Sequence, residues 1–335
     1  MKIVVKSPTR VDLAGGTLDL WPLNQFVGGA TTINVAINIW TQAEIVESEK
    51  VEWISKDLNL HKIYQNLNEV LSEQDSTLKL FQAVVRFFKP QKGFKLTTQS
   101  ESPVGGGLGG SSSLTISMLK AFAQFCDRPF ESVHQMVHVA HNLEAQVLNT
   151  PTGTQDYYPA VTGGLGLIRY TESGIEHQAF EIEKSPLAQH FLLVYTGKSH
   201  HSGINNFEVM KSAVTKDPKT MKALFDLKEI SQNMEKSVLS RNWQSLPALF
   251  NQEFEARVRL SPAFSSPEII KLAEITKNAG ADAVKICGAG GGGCILVWTP
   301  PENREKVTQA CQKQNFQVMS ASPCNPIVNP TQKSF

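Results

Sequence analysis

The chain has 335 residues, of which 41% are hydrophobic and 19% are charged. A chain of this length is expected to fold into two lobes, because single hydrophobic cores stop growing at about 250–300 residues. The 32 Lys and Arg residues nearly balance the 31 Asp and Glu residues, so the chain lacks the strong field that attracts nucleic acid or an anionic membrane. We therefore expect a small molecule as partner.

The cysteines and the N-terminus bear on location. The five cysteines are scattered and form no CxxC pair, a pattern typical of reduced thiols rather than of a disulfide framework. The first residues, MKIVVKSPTR, lack the long apolar run of a signal peptide, and no stretch approaches the roughly 20 apolar residues that span a bilayer. The sequence predicts a cytoplasmic protein without a membrane anchor.

Strands and helices alternate irregularly along the chain. Runs of β-branched residues predict strands at 2–6, 30–48, 52–54, 93–99, 163–170 and 190–197. Apolar residues at helical spacing predict helices at 78–88, 111–126, 131–148, 203–215, 218–238, 242–255 and 266–279. The chain is then predicted to close with a strand, a glycine loop, a second strand, a helix and a last strand. The boundary between the lobes is predicted near residue 180.

The glycine loop PVGGGLGGSSSL at 103–114 is the strongest functional signal. Its glycines let the backbone approach an anion, and the following helix N-terminus supplies free N–H donors and partial positive charge. The serines at the helix start add hydroxyls that can ligate Mg²⁺ beside a phosphate. The loop predicts a phosphate cradle, while a flexible loop with a helix cap stays open on these residues alone.

Gly105, Gly107 and Gly110 also satisfy G-x-G-x-x-G, a pattern found in dinucleotide-binding sites. Pro103 separates this loop from its strand, and no acidic residue that could bind a ribose is evident at the end of a following strand. The serine run is also surplus to such a site. A Walker-type P-loop is excluded, since the sequence contains no G-x-x-x-x-G-K-S/T.

Three further segments carry residues suited to phosphate chemistry. The loop GAGGGG at 288–293 lies between two apolar strands, where either a ligand or a tight hairpin could require its glycines. Asp156, in TPTGTQDYYPAVTGG, could accept a proton from a hydroxyl or serve as a turn residue. Arg10 and Asp19, in SPTRVDLAGGTLDL, could stabilise a transferring phosphoryl group and bind sugar hydroxyls, respectively.

The order of these four segments resembles that of the GHMP kinases, the family of galactokinase, homoserine kinase, mevalonate kinase and phosphomevalonate kinase. The resemblance covers about residues 3–298. It implies an α+β fold of two lobes, with an N-terminal lobe like ribosomal protein S5 domain 2 over 1–180 and a ferredoxin-like lobe over 181–335. It also implies that MgATP binds in the cleft between them and that a sugar or sugar phosphate accepts the phosphoryl group.

The resemblance assigns roles to individual residues. Asp156 takes the place of the catalytic aspartate, and Arg10 that of the basic residue that lowers the pKa of the substrate hydroxyl. Ser111 and Glu144 take the places of the Mg²⁺ ligands, with Ser112 sharing the serine role. Nucleotide contacts are expected at Pro103, Gly105, Gly106, Gly107, Leu108, Gly109, Gly110, Ser111, Ser112 and Ser113. Substrate contacts are expected at Asp19, Thr17, Gly16, Gly290 and Gly291.

Histidines offer two weaker hypotheses. His134, His138 and His141 lie on the predicted helix of Glu144 and could imitate a metal site, although histidines on such helices usually pack or face solvent. Lys198, His200 and His201 could contact a substrate phosphate or belong to an ordinary polar loop.

The segment after Arg10 narrows the substrate. Galactokinases carry G-E-H-x-D there, whereas this chain reads Gly15-Gly16-Thr17-Leu18-Asp19, which argues against galactose and looks more like the bacterial heptose phosphate kinases and the fucokinase-like members. A mevalonate-pathway kinase and a non-catalytic sensor of ATP and sugar remain alternatives, and a dehydrogenase is the third. We expect a monomer or homodimer.

Overall fold

The computed structural model of the chain describes residues 2–183, 185–199, 202–288 and 290–328, and only the backbone at 202–205. The strands are β1 (Lys2–Ala14), β2 (Ala30–Glu47), β3 (Val51–Ser55), β4 (Leu60–Tyr64), β5 (Phe94–Ser100), β6 (Leu165–Thr171), β7 (Gly174–Phe180), β8 (Phe191–Tyr195), β9 (Ala283–Ile286), β10 (Cys294–Trp298) and β11 (Gln317–Met319). The α-helices are α1 (Leu23–Phe26), α2 (Leu67–Ser72), α3 (Lys79–Phe88), α4 (Gly110–Phe125), α5 (Val133–Leu148), α6 (Tyr157–Thr162), α7 (Leu187–His190), α8 (Ser202–Val214), α9 (Pro218–Leu239), α10 (Leu246–Leu260), α11 (Pro267–Asn278) and α12 (Arg304–Lys313). Short 3₁₀ turns lie at Ser76–Leu78, Trp243–Ser245, Pro262–Ser265 and Pro301–Asn303.

The first sheet is organised around β2, which is long enough to pair with different strands along its length. It pairs antiparallel with β1 and, along its other side, with β5 and then β6. The order across the sheet is β4-β3-β5-β2-β6-β7, with β1 pairing β2 off this path. Because β3 and β5 pair in parallel and the other strands antiparallel, this is not the parallel sheet of a dinucleotide-binding fold.

Helix α4 places the central glycine loop at the edge of this core. It packs on β1 and β2 and contacts α5 and α6. Its apolar side is buried against Phe94, whose ring meets Phe122 edge to face at a centroid distance of 5.1 Å. Since α4 begins at Gly110, directly after the loop, its N-terminal N–H groups lie beside the loop glycines.

The second sheet has the order β11-β8-β10-β9, and all its pairs are antiparallel. Numbered along the chain this order is 4-1-3-2, with helices between the first and second strands and α12 between the third and fourth. This is the ferredoxin-like arrangement that the resemblance implied.

The two sheets are joined by both chain crossings and hydrogen bonds. The C-terminal segment returns to the first lobe, where the Cys324 N–H donates to the Ala36 carbonyl of β2 at 2.8 Å and the Ile327 N–H donates to the Thr162 carbonyl of α6 at 2.7 Å. The Cys294 N–H of β10 donates to the Gly106 carbonyl of the central loop at 2.7 Å. The last of these bonds holds the second sheet against the central glycine loop.

The predicted elements agree with the structure to within a few residues at most boundaries. The strand predicted at 2–6 continues to Ala14, so that Arg10 lies within β1. Strands β4 and β7 lie outside the predicted elements. The helix predicted at 242–255 begins at Leu246 and continues to Leu260. A 3₁₀ turn occupies Trp243–Ser245, and Pro247 in the first turn favours a start at this point because its missing N–H costs nothing there. All five cysteines are free, as their spacing predicted. Among the described helices, none is long and apolar enough to cross a bilayer.

Candidate active site

A cavity of about 720 Å³ lies where the central glycine loop, β1 and the loop before α6 meet. It brings together most of the residues singled out in the sequence. Those that line it are Arg10, Thr17, Asp19, Pro103, Gly105, Gly106, Gly107, Gly109, Gly110, Ser111, Ser112, Glu144 and Asp156. The late glycine segment contributes Gly288 together with the preceding Cys287.

Arg10 joins three of the four predicted segments. Its Nε and Nη2 donate to Asp156 Oδ1 at 2.8 and 2.6 Å. Its Nη1 donates to the carbonyls of Gly107 and Cys287, at 2.6 and 2.9 Å. Burial opposes the positive charge, but Asp156 and the nearby Asp12 outweigh it and raise the pKa of Arg10. The guanidinium is therefore a fixed cation that orients Asp156.

Gly109 brings the central loop against Asp156. Its φ of +69° lies in the left-handed region, and it occupies the N-cap position of α4. A Cβ at this position would lie 3.2 Å from Asp156 Oδ2, closer than most side-chain contacts allow. Glycine thus permits both the turn and the approach of the carboxylate to the helix N-terminus, where free N–H groups favour an anion.

Glu144 lies buried beside the same helix N-terminus. Its Oε2 accepts hydrogen bonds from Ser112 Oγ at 2.9 Å and from the Tyr157 hydroxyl at 2.5 Å. Burial raises the pKa of Glu144, and hydrogen bonds from Ser111, Tyr157 and Ser112 partly oppose the rise. A carboxylate with two serine hydroxyls is an all-oxygen donor set, which suits Mg²⁺ when phosphate oxygens complete its coordination.

The cavity floor consists of Asp12, Thr17, Asp19, Gln155 and Arg257, all of which line the cavity. Asp19 Oδ2 accepts the backbone N–H of Gln155 at 3.2 Å. A Cβ on Gly153 would overlap this oxygen at 1.7 Å, so only glycine fits there. Burial raises the pKa of Asp19 to about 7, and the neighbouring Asp156 charge adds to the rise.

Two residues of the floor belong to a buried group of four charges, which we call the ion quartet: Asp12, Glu253, Arg257 and Lys285. Arg257 donates to Asp12 Oδ2 at 2.8 Å and to Glu253 Oε1 at 2.5 Å, and Lys285 Nζ lies 3.1 Å from each of these oxygens. Each side chain is at most 2% exposed. Burial opposes ionisation, but Lys285 and Arg257 outweigh it and lower the pKa of Asp12.

Five predicted contacts do not line the cavity. Leu108 is buried, and its carbonyl accepts the Arg10 N–H. Ser113 faces the first sheet, where its hydroxyl contacts the Ser7 carbonyl and Thr41 Oγ1 at 3.1 and 2.8 Å. Gly16 lies against the floor, where a Cβ would meet Asp12, Arg257 and Gln155. Gly290 and Gly291 lie against Ala263, whose carbonyl accepts the Gly291 N–H at 2.6 Å. These residues support the site through backbone and packing.

The histidines do not gather around Glu144. His134 contacts the Tyr158 hydroxyl, His138 contacts Asn142, and His141 contacts the Thr152 carbonyl. Within the residues described, no group of three or more His, Cys, Asp or Glu residues is placed to hold a metal ion. Lys198 pairs with Glu268, and the predicted His200 and His201 lie outside the described residues.

Family models decide the relationship that the geometry suggests. The GHMP kinases N terminal domain matches residues 76–164, and the GHMP kinases C terminal domain matches residues 221–317. The chain belongs to the GHMP kinase family. The first match contains the central glycine loop, Glu144 and Asp156, and the second contains α10 and the late glycine loop.

This GHMP kinase is similar to several relatives over nearly all of its length. It is 25% identical to D-glycero-alpha-D-manno-heptose 7-phosphate kinase from Campylobacter jejuni, covering 96% of each chain. It is 23% identical to mevalonate kinase from Methanocaldococcus jannaschii, covering 96% of this chain and all of the relative. The structure of a D-glycero-D-manno-heptose 1-phosphate kinase from Bacteroides thetaiotaomicron superposes with a TM-score of 0.77 at 22% identity, covering 97% of each chain. At that identity the structural match supports the fold alone.

Sequence reasoning missed several residues of this GHMP kinase site. Tyr157 follows Asp156 directly in TPTGTQDYYPAVTGG, and this position was the available signal. The available signal for Lys285 was its charge within the apolar strand AVKI. For Arg257 and Glu253 it was their i,i+4 spacing on α10. Nothing in the local pattern indicated that these charges meet Asp12 of β1.

Proposed function

We propose that this protein transfers the γ-phosphoryl group of MgATP to a hydroxyl of a sugar or sugar phosphate. The observation that carries the proposal is Asp156, a cavity carboxylate held by a fixed arginine against the N-terminus of α4. A proton acceptor, a cation and an anion cradle are the parts that phosphoryl transfer needs, because its catalysis rests on positioning and charge stabilisation.

The nucleotide would bind along the central loop. The glycines 105–107 and 109–110 and the start of α4 would hold the phosphates, since the helix N-terminus has N–H groups without intrahelical partners. Val104, Leu114 and Leu148 also line the cavity and supply apolar surface suited to a flat base. Ser111, Ser112 and Glu144 would hold Mg²⁺, which when bound neutralises charge on the phosphates.

Asp156 would accept the proton of the attacking hydroxyl. Arg10 occupies its Oδ1 with two donors, and Oδ2 has no hydrogen-bond partner within the described residues. Oδ2 is thus the oxygen free to bind the acceptor hydroxyl and take its proton. Arg10 keeps the carboxylate in place and stabilises negative charge that develops on the reacting oxygens. Asp19 and Thr17 would bind neighbouring hydroxyls of the acceptor.

The alternatives within the family are distinguished by chemistry at the floor. Relatives include mevalonate kinases as well as a heptose 7-phosphate kinase. Arg10 and Asp19 favour a sugar, since a buried carboxylate is suited to bind hydroxyls and unsuited to the carboxylate of mevalonate. A sensor without activity is disfavoured by the intact contacts of Arg10, Asp156 and Glu144. A cytoplasmic location and a monomeric or homodimeric state remain predictions.

A coupled assay of ADP release tests the proposal. Purified protein with MgATP is offered galactose, fucose, glucuronate, a heptose 7-phosphate and mevalonate, and bound nucleotide is measured by calorimetry. We expect ATP binding and saturable ADP release with at least one sugar or sugar phosphate. Release with mevalonate alone would favour the mevalonate-pathway alternative. ATP and sugar binding without release would favour a sensor, and micromolar NAD⁺ binding without ATP binding would contradict a kinase.

A further inference from the structure

The cations near the cavity floor are already paired with protein carboxylates. Arg10 is held by Asp156. Arg257 and Lys285 are held within the ion quartet, whose two positive and two negative charges balance. A ligand anion that reached the floor would have to compete with these carboxylates, which are buried and fixed. The floor therefore has little positive charge to offer.

Asp19 is the floor carboxylate that forms no ion pair with the residues described. Its side chain is buried, and its hydrogen bond in the described part of the chain comes from the backbone N–H of Gln155. The raised pKa of Asp19, about 7, follows from its burial and from the Asp156 charge beside it. Asp19 lines the cavity, so a ligand can supply the hydrogen bonds that the protein does not.

Two more buried oxygens of the floor lack partners. Asp12 is 2% exposed and Gln155 is 7% exposed, and both line the cavity. Within the described residues, Asp12 Oδ1 and Gln155 Oε1 have no hydrogen-bond donor. An ionised carboxylate and an amide oxygen can only accept hydrogen bonds. These two buried oxygens are thus acceptors that await a donor, and they match a ligand rich in hydroxyl groups.

Resting on the proposed function, we propose that the cavity floor selects a neutral, hydroxyl-rich acceptor and rejects acceptors that carry a carboxylate or phosphate among the hydroxyls bound there. Hydroxyl groups donate to Asp19, Asp12 and Gln155 and complete their hydrogen bonds. Above pH 7, where Asp19 is ionised, a negative group at the same place would meet the charges of Asp19 and Asp156 at short range and low dielectric, and the described residues offer it no unpaired cation there. A phosphate on the acceptor must therefore lie outside the floor.

A series of acceptors that differ only in the group at carbon 6 tests this selection. The aldose that gives ADP release is compared with its 6-amino-6-deoxy derivative and its uronate, which place opposite charges at the same position. We expect the wild-type kcat/KM to be about 10- to 100-fold lower for the uronate than for the neutral aldose, and the amine to be accepted at least as well as the uronate. A uronate used as well as the neutral aldose would overturn the inference.

A variant of Asp19 assigns the selection to the floor. Asp19→Asn keeps the size of the side chain but removes its charge, so the ratio of neutral to uronate kcat/KM should shrink toward one. Asp226→Asn, on the surface beside Lys222 and Arg259, should keep the wild-type ratio. An unchanged ratio in folded Asp19→Asn would contradict the role of Asp19. If that variant does not fold, the wild-type series still decides. If none of the acceptors supports ADP release, the result would instead refute the proposed function, and the inference with it.

Discussion

Arg10 and Asp156 lie 146 positions apart, yet two nitrogens of Arg10 donate to the same oxygen of Asp156, at 2.8 and 2.6 Å. The third nitrogen of the guanidinium donates to the Gly107 carbonyl within the central glycine loop and to the Cys287 carbonyl just before the late glycine loop. One side chain thus links the N-terminal strand, the central loop, the segment that carries Asp156 and the second lobe. The planar guanidinium is suited to this task because its donors point in fixed directions.

Arg10→Lys tests whether this geometry matters beyond charge. Lysine keeps the positive charge but cannot reach Asp156 and both carbonyls together, so we expect kcat to fall about 10²-fold. Steady-state kinetics and the thermal midpoint should be measured together, to separate lost catalysis from lost folding. Arg259→Lys, on an exposed pair with Asp226, is the matched control and should keep its activity. Wild-type kcat in Arg10→Lys would show that charge alone suffices.

Alanine substitutions of the neighbouring serines Ser112 and Ser113 on α4 should affect different properties, the first Mg²⁺ dependence and the second stability. Ser112 bonds to Glu144, so Ser112→Ala should raise the Mg²⁺ concentration needed for half-maximal ATP binding, as measured by calorimetry across a Mg²⁺ titration. Ser113 bonds to the Ser7 carbonyl and Thr41, so Ser113→Ala should lower the free energy of unfolding by about 1 kcal/mol without altering the Mg²⁺ dependence. The reverse pattern would show that the serine nearer the sheet serves the metal.

The ion quartet predicts a large effect on stability from one substitution. Lys285→Met leaves Asp12 and Glu253 with Arg257 as their shared cation, and a buried carboxylate without its partner is costly. We expect the free energy of unfolding to fall by about 3–5 kcal/mol, measured by denaturant titration. Lys222→Met removes an exposed pair with Asp226 and should cost at most about 1 kcal/mol. Equal stabilities of the two variants would mean that the quartet is not coupled as described.

Asp19 predicts a dependence of stability on pH. Its pKa in the folded protein is about 7, above its ordinary value of 3.8. The folded protein therefore binds a proton at Asp19 that the unfolded chain releases between these values, and the stabilisation from this group is lost as the pH rises through the window. Asp12, Asp156 and Arg10 face the same carboxyl group and contribute to its pKa.

Thermal midpoints at pH 5 and pH 8 measure this contribution. Wild-type protein should lose more stability over this rise than Asp19→Asn, because the amide does not titrate. Other groups that titrate in the same range contribute equally to both proteins, so their contributions cancel in the comparison. Identical changes in both proteins would show that Asp19 has an ordinary pKa.

Local patterns predicted where the chemistry lies but not which side chain faces it. The run Ser111–Ser113 marked a helix start beside a phosphate cradle, yet successive helical residues point about 100° apart. The direction of each serine depends on how α4 packs, and Thr41 of the distant β2 contacts Ser113. The late glycines show the same limit, because Gly290 and Gly291 support Ala263 while Gly288 lines the cavity.

Contacts between distant segments were beyond local reasoning. From its local sequence, Asp156 suited a turn as well as a role as proton acceptor. The order of the motifs in the family was needed to place it in the same site as Arg10. Lys285 stood out in an apolar strand, but Asp12, its partner, lies 273 positions away. Strand pairing and lobe packing create such contacts, and the residues near one position do not indicate which distant segment will pack there.

Asp156→Asn tests the central claim most directly. The amide keeps the size and polarity of the side chain but cannot accept the hydroxyl proton, so kcat for ADP release should fall about 10²–10⁴-fold. Binding of MgATP and of the sugar, measured by calorimetry, should stay near wild-type affinity, and a residual rate should remain from Arg10 and the glycine cradle. Unchanged, saturable ADP release in Asp156→Asn would remove this residue from the mechanism and contradict the account.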